Sequence, residues 1–398
     1  MELRTLSDGC VRRRARVAGM VASVLALCVA HWRAASSEDL PSQLNIHGGK
    51  AIYDAACAAC HGPNGEGTAK SSAGFDKPES FPHFDKCEET TPEFTRDYKA
   101  AIRDGGTARG FSTIMPSFSG VLTSQQMDEV IAYLRSFCKE SGWPLGELNV
   151  PRALITEKAF PESESILTTT VNAQGPPAIS NEFVYERVLG KSDQLEVSVP
   201  FGWVHKDGGG YTGGLGDIAI GDKHILYSHL NADPGRPAYN ATGSILSIQA
   251  EVVLATGDQK RGLGAGEPSL GVFAMYDQVF GHQAFMQIQS GVDIPRHTEY
   301  GPSSAYIRTA FGKSLAGDGE LGRLWTPMVE FIGNRDLTAG ATTDWDVVPE
   351  FQVTINRRQH IRAAAGYRVP INDTAGRPRQ VIAYFLWDWF DGGLFEGW

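Results

Sequence analysis

The spacing of apolar positions divides the chain in two. Between residues 45 and 140 it follows a helical period: NIHGGKAIYDAAC opens the stretch, PEFTRDYKAAIRDG is a second amphipathic segment, and TSQQMDEVIAYLRSFC is a third. In the third, Met127, Val130, Ile131, Leu134 and Cys138 recur on one face, which predicts a helix packed inward along that stripe. Thr123 followed three residues later by Gln126 is a capping box that marks its start. Residues 142–163 then carry Pro and Gly punctuation with no lasting period, so they read as a linker that lies against something.

From about residue 164 the period changes to two. SILSIQAEVVL sets Leu246, Ile248, Val252 and Leu254 against Ser247, Gln249 and Glu251, and FMQIQSGVDI sets Met286, Ile288 and Val292 against Gln287, Gln289 and Asp293. VVPEFQVTIN sets Phe351, Val353 and Ile355 against Glu350, Gln352 and Thr354, and HIRAAAGYRVPI sets Ile361, Tyr367 and Val369 against His360, Arg362 and Arg368. Such segments are strands with one apolar and one polar face. There are about twelve of them over 164–398, most near the roughly ten residues of a tilted membrane strand. Connections are short on one side (GKSD, FGHQ, RRQ) and longer and Gly-rich on the other (KDGGGYTGG, QKRGLGAGEP, GNRDLTAGATTD). Trp387, Trp389, Phe390 and Phe395 crowd the last strand and its end, and Trp398 closes the chain, a pattern that fits an interfacial aromatic girdle. The expected fold is therefore multidomain, a small all-α domain followed by an antiparallel transmembrane β-barrel. Strands in lipid must close on themselves to pair their backbone groups. In that barrel Gln249, Glu251, Gln287, Gln289, Arg362 and Arg368 line the lumen, Leu246, Ile248, Phe351, Val353 and Tyr367 face lipid, and an arginine is tolerated at Gln352 but not at Val353. A soluble sandwich would also alternate, and that reading stays open. GLGAGE (262–267) sits between two alternating strands with no helix after it, so it is a hairpin loop rather than a dinucleotide-binding turn.

The front of the chain adds a compartment. RRRAR (12–16), the apolar run VAGMVASVLALCVA (17–30) and the small residues of RAASS follow the order of a secretory signal, assigned to residues 1–36. The apolar run is too short for a comfortable transmembrane helix, which takes roughly twenty residues. Cys28 hints at lipoprotein processing, against which Leu27 stands where a small residue is wanted. Cys10 and Cys28 leave with the signal, so Cys57, Cys60, Cys87 and Cys138 remain in an exported, oxidising setting. Beyond residue 36 the chain holds 30 basic against 44 acidic residues, which excludes nucleic acid as a natural partner.

Residues 57–61 read CAACH. On an exported helical domain, two thiols two residues apart add to the vinyl groups of haem, and the histidine that follows them becomes an axial ligand to the iron. A redox CxxC pair or half a zinc site are the alternatives, but no second CxxC or His pair follows at zinc spacing. The sixth ligand is expected on a loop ahead of the last helix, where GGTARGFSTIMPSFSG supplies Met115. Met127 lies on the helical apolar face and reads as core, while His83 in FPHFDKC is the other loop candidate. A thioether ligand favours reduced iron and closes the iron to substrate, which suits electron transfer.

With CAACH, the loop ending IMP and the helix MDEVIAYLRSF in that order, residues 45–140 resemble a class I cytochrome c domain, which is assigned to residues 37–141. The resemblance implies one covalently attached haem c, held by thioether bonds to Cys57 and Cys60 and ligated by His61 and Met115. Cys87 and Cys138 depart from the simplest pattern of that family; an exported setting permits a disulfide between them, and two free thiols are the alternative. GLGDIAIGDKHIL, VVLATGDQKRGLG and YRVPIND resemble the porin-like barrels grouped with phenol-degradation-pathway outer-membrane proteins. Haem domain followed by barrel (164–398) is similar in plan to fused cytochrome-porins linked to extracellular electron exchange.

The function implied is a c-type cytochrome anchored in the outer membrane, its periplasmic haem exchanging electrons with a redox protein, with an extracellular donor or acceptor, or across the barrel. The competing readings are a transport channel with a cytochrome docking or sensing module, and a soluble periplasmic haem oxidoreductase. No Ser/His/Asp or paired-carboxylate constellation stands out in the β half, so the expectation is a carrier rather than a catalyst with its own substrate site.

Overall fold

The computed structural model describes residues 44–67, 81–205, 209–231, 241–315 and 324–397. The signal assigned to 1–36, with Cys10 and Cys28, and also Trp398 lie outside the described residues.

The helical part contains α1 (Gly49–Ala56), α2 (Ala58–His61), α3 (Cys87–Thr90), α4 (Thr95–Asp104) and α5 (Ser124–Arg135). The capping box forms as expected: the Thr123 hydroxyl accepts the Gln126 N–H at 3.2 Å, and the Gln126 side-chain oxygen accepts the Thr123 N–H at 2.9 Å. Met127, Val130, Ile131 and Leu134 pack against Ile52, Tyr53, Phe84 and Ile102. Cys138 does not continue that stripe. The helix ends at Arg135, and the thiol beyond it forms a disulfide with Cys87. α1 crosses α5 at Gly49, where a Cβ would come within 2.1 Å of the Glu129 carbonyl oxygen and 2.8 Å of the Tyr133 Cβ. Only glycine allows the two backbones to approach so closely.

The described β part comprises β1 (Glu164–Gln174), β2 (Ala178–Leu189), β3 (Asp193–His205), β4 (Tyr211–Leu215), β5 (Ile218–Asn231), β6 (Thr242–Leu254), β7 (Ser269–Phe280), β8 (Ala284–Pro295), β9 (Ser304–Lys313), β10 (Trp325–Asp336), β11 (Asp344–Thr354), β12 (Ile361–Pro370) and β13 (Arg379–Asp388). β4 and β5 both pair with β3 and are separated only by Gly216 and Asp217, so they make one interrupted strand. The result is a closed antiparallel barrel of 12 strands, with β1 joined to β13 from Glu164↔Asp388 to Gln174↔Arg379. An even count brings the start of β1 and the end of β13 to the same rim.

The two faces separate as the alternation requires. Leu167, Phe183 and Phe385 stand side by side across three strands and are each about 40% exposed. Leu246, Ile248, Phe351, Val353 and Tyr367 lie on the same outward side, while Gln249, Gln287 and Gln289 are buried inside. The inner face is nevertheless not purely polar. Ile245, Phe273, Met275, Phe285 and Met328 also point inward and are buried.

What buries them is the stretch before β1. Residues 149–163 run through the lumen as a plug without regular structure, and an enclosed irregular backbone must find partners for its polar groups. The barrel supplies them. Glu350 accepts the Leu154 N–H (2.9 Å), Glu330 the Thr156 N–H (2.6 Å), Asp277 the Ala159 N–H (2.7 Å) and Gln194 the Glu162 N–H (2.7 Å). Arg152 reaches Glu186 at 2.7 Å and Glu164 at 3.4 Å, and Lys158 pairs with Glu162. Leu154 and Phe160 fill the two apolar patches of the inner wall. This corrects the expectation for Gln352. Its amide donates to the Arg152 carbonyl oxygen at 3.1 Å, contacts the Tyr384 hydroxyl and is only 3% exposed, so a lumen position here has no room for arginine.

Candidate haem site

α1 is interrupted at Cys57, and the next turn brings the motif together: the Cys60 and His61 N–H groups both donate to the Cys57 carbonyl oxygen, at 3.1 and 2.9 Å. One turn thus presents two thiols and an imidazole. Neither thiol is in a disulfide, and both are half-buried. Burial, and then the neighbouring Cys60, pushes the Cys57 thiol up to about 12, so it stays protonated at neutral pH. The His61 ring lies between Phe81 and Phe84, with centroids 5.0 and 5.1 Å away. Burial lowers it to about 4, which keeps the imidazole in its neutral, metal-ligating form. Its Nδ1 is buried with no partner among the described residues. Behind it the buried Tyr53 hydroxyl donates to the Gly62 carbonyl oxygen at 2.6 Å and fixes the chain as it leaves the motif.

Met115 comes from the loop between α4 and α5. Its carbonyl oxygen accepts the Gly106 N–H at 3.0 Å, and Phe118 and Ser119 donate to the Ile102 and Arg103 carbonyl oxygens at 3.0 Å. The double glycine is required here. Gly105 has φ 84°, and a Cβ on Gly106 would lie 2.3 Å from the Ser112 carbonyl oxygen and 3.1 Å from the Met115 Cβ. Met127 is core, 3% exposed.

A cavity of about 980 Å³ brings these residues to one space. Cys57, Cys60, His61 and Met115 all line it, and so does His83. Two free thiols, a neutral imidazole and a thioether around a void of that size fit a covalently attached haem.

The other wall of the cavity belongs to the barrel. Phe160 of the plug, Arg358 of the β11–β12 connection and Trp389 beyond β13 line the same space. Trp389 and Phe390 were expected in a lipid-facing girdle; they line this cavity instead, and the Trp389 ring stacks on Tyr185 at 5.7 Å. Arg358 is tied to the Met115 loop, donating to the Gly110 carbonyl oxygen at 3.0 Å with its guanidinium 4.8 Å from the Phe111 ring. Arg109 donates back to the Arg358 carbonyl oxygen at 3.5 Å. In the sequence Arg358 is only part of a short turn, RRQ, and nothing local marks it as a neighbour of residue 110.

Residues 46–137 match the family model described as Cytochrome c. That stretch is a cytochrome c domain, which implies covalently bound haem c and electron transfer, and it is fused to a closed 12-strand barrel. Solved structures similar to the barrel part include an outer membrane channel from Pseudomonas putida F1 (11% identity, TM-score 0.39, covering 60% of this chain and 99% of that one). Others are the KdgM porin (4%, 0.33, 56% and 98%) and the beta domain of the Bordetella autotransporter Brka (11%, 0.35, 56% and 98%). No curated protein matches the chain.

Proposed function

We propose that this chain is a membrane-anchored electron carrier of the outer membrane, with one haem c attached at Cys57 and Cys60, ligated by His61 and Met115, and exchanging electrons with a redox partner on the periplasmic side. The observation that carries this reading is the convergence of those four side chains on one cavity. When bound, haem supplies an iron that accepts and passes on one electron. The neutral His61 imidazole and the Met115 thioether would hold that iron, and Phe81, Phe84 and the barrel mouth would exclude water from it.

The outward band of Leu167, Phe183, Val272, Ile307 and Phe385 on a closed barrel supports insertion in a bilayer. Both ends of the barrel lie on one rim, and the exported haem domain precedes the first strand, which supports a periplasmic haem. The plug favours a carrier over an open solute channel, because its backbone is hydrogen-bonded to the inner wall by Glu350, Glu330, Asp277 and Gln194.

Haem staining of a denaturing gel run on outer-membrane fractions tests the reading. A stained band is expected there and is lost in the Cys57→Ala, Cys60→Ala double variant; in intact cells the haem domain resists added protease until the outer membrane is permeabilised. Release of the stained protein with the soluble periplasm would overturn it.

A further inference from the structure

The mouth of the barrel bears on the haem site in a way that no property of the haem domain requires. The cavity that takes the haem is lined by Arg109 of the haem domain, and also by Arg358 and Trp389 of the barrel half. Arg109 and Arg358 are 5% and 7% exposed. The Nε–H of each, and the Trp389 indole Nε1–H, are buried without a partner among the described residues. Three enclosed donors left unpaired around one cavity is an expensive arrangement, since a buried donor without an acceptor costs about 1–3 kcal/mol. Haem carries two carboxylates, and a buried carboxylate needs donors of this kind.

We propose that the carboxylates of the haem are held by the Arg109 and Arg358 guanidiniums and the Trp389 indole, so that the barrel mouth is the second half of the haem site and not merely its anchor. This rests on the haem reading above. Arg109 and Arg358 each keep an existing anionic partner, Asp97 at 3.3 Å and Glu396 at 2.5 Å, through terminal nitrogens that leave Nε available. Two of the acidic groups sharing the cavity oppose the arrangement less than ordinary carboxylates would. Burial, and then Asp97, pushes the Glu93 carboxyl up to about 7. Burial and Glu93 hold Asp391 well above the usual carboxylate range, so these two groups carry less negative charge at neutral pH than ordinary carboxylates do. The arrangement also gives a use to the contacts between Arg358 and the Met115 loop: the arginine that fixes this loop would also hold a haem carboxylate.

Resonance Raman spectroscopy of the full-length haem-loaded protein reads the hydrogen bonding of the haem carboxylates through their bending mode, and a redox titration reads the potential. Trp389→Phe keeps the stacking on Tyr185 and changes no charge; it should shift the bending mode. Arg358→Gln should shift the mode and lower the potential, because a cation beside the haem favours the reduced iron. Arg357→Gln, the same charge change at the exposed neighbouring arginine, should leave the mode in place and lower the potential less. If haem is attached and neither Trp389→Phe nor Arg358→Gln moves the mode, or Arg357→Gln moves it equally, the barrel does not hold the haem carboxylates. Absence of covalent haem from the unmodified protein would overturn the underlying reading as well.

Discussion

At the residue scale, the identity of the distal ligand is the most consequential choice left to a single side chain. Met115 and His83 both line the cavity, but Met115 sits in a loop pinned to α4 by the Gly106, Phe118 and Ser119 amides. Met115→Ala should therefore abolish the thioether-to-iron charge-transfer band of the oxidised protein, leave covalent haem in place and lower the reduction potential, because a ligand that favours ferrous iron is lost. His83→Ala should leave the band intact. The reverse pair of outcomes, read by visible spectroscopy and a redox titration, assigns the ligand to His83.

At the scale of elements, two contacts decide whether each half holds its shape. The crossing of α1 over α5 depends on the missing side chain of Gly49, so Gly49→Ala must push the helices apart at an overpacking cost of about 1–3 kcal/mol. Circular dichroism in the haem absorption band should show a lower melting midpoint for the haem domain, with the β-sheet signal unfolding where it does in the unmodified protein; an unchanged midpoint contradicts the close crossing. In the barrel, Leu167 faces outward between Phe183 and Phe385, and Thr170, three residues on, faces inward beside Ile382. Leu167→Arg should cost roughly 2–4 kcal/mol at the bilayer midplane and less toward a rim, and Thr170→Arg close to nothing. Urea titration of the protein folded into lipid vesicles measures both, and equal tolerance would mean that the apolar outer face is not in lipid.

For the whole molecule, the plug links the two functions a barrel can have. It lies between the haem domain and β1 in sequence and inside the barrel in space, so the segment that tethers the cytochrome also closes the lumen. Arg152 is central to it, because Glu186 and Glu164 are almost fully enclosed and face its guanidinium. Removing one partner of a buried ion pair leaves an uncompensated charge, at a cost of about 3–5 kcal/mol. In planar bilayers the unmodified protein should pass little ionic current. Arg152→Ala, or replacement of residues 150–161 by a Gly/Ser segment of equal length, should open a conducting lumen. A large steady current through the unmodified protein would favour the channel reading.

The sequence alone determined whatever depends on local periodicity and covalent chemistry. A period of 3.6 with a capping box defined α5, a period of two laid out the strands and sorted Gln287 and Gln289 from Ile288, and CAACH identified the cytochrome half, because these patterns are written in residues close together along the chain. The tertiary structure decided what depends on contacts between distant segments. Cys138 leaves the helical stripe because its partner is Cys87. Gln352 is enclosed because residues from a different part of the chain occupy the lumen, and an irregular segment shows no period by which its destination could be read. Arg358 and Trp389 reach the haem cavity because closing the ring brings the β11–β12 turn and the end of β13 beside the Met115 loop, some 250 residues away from Gly110. Closure itself is a collective property of all the strand pairings.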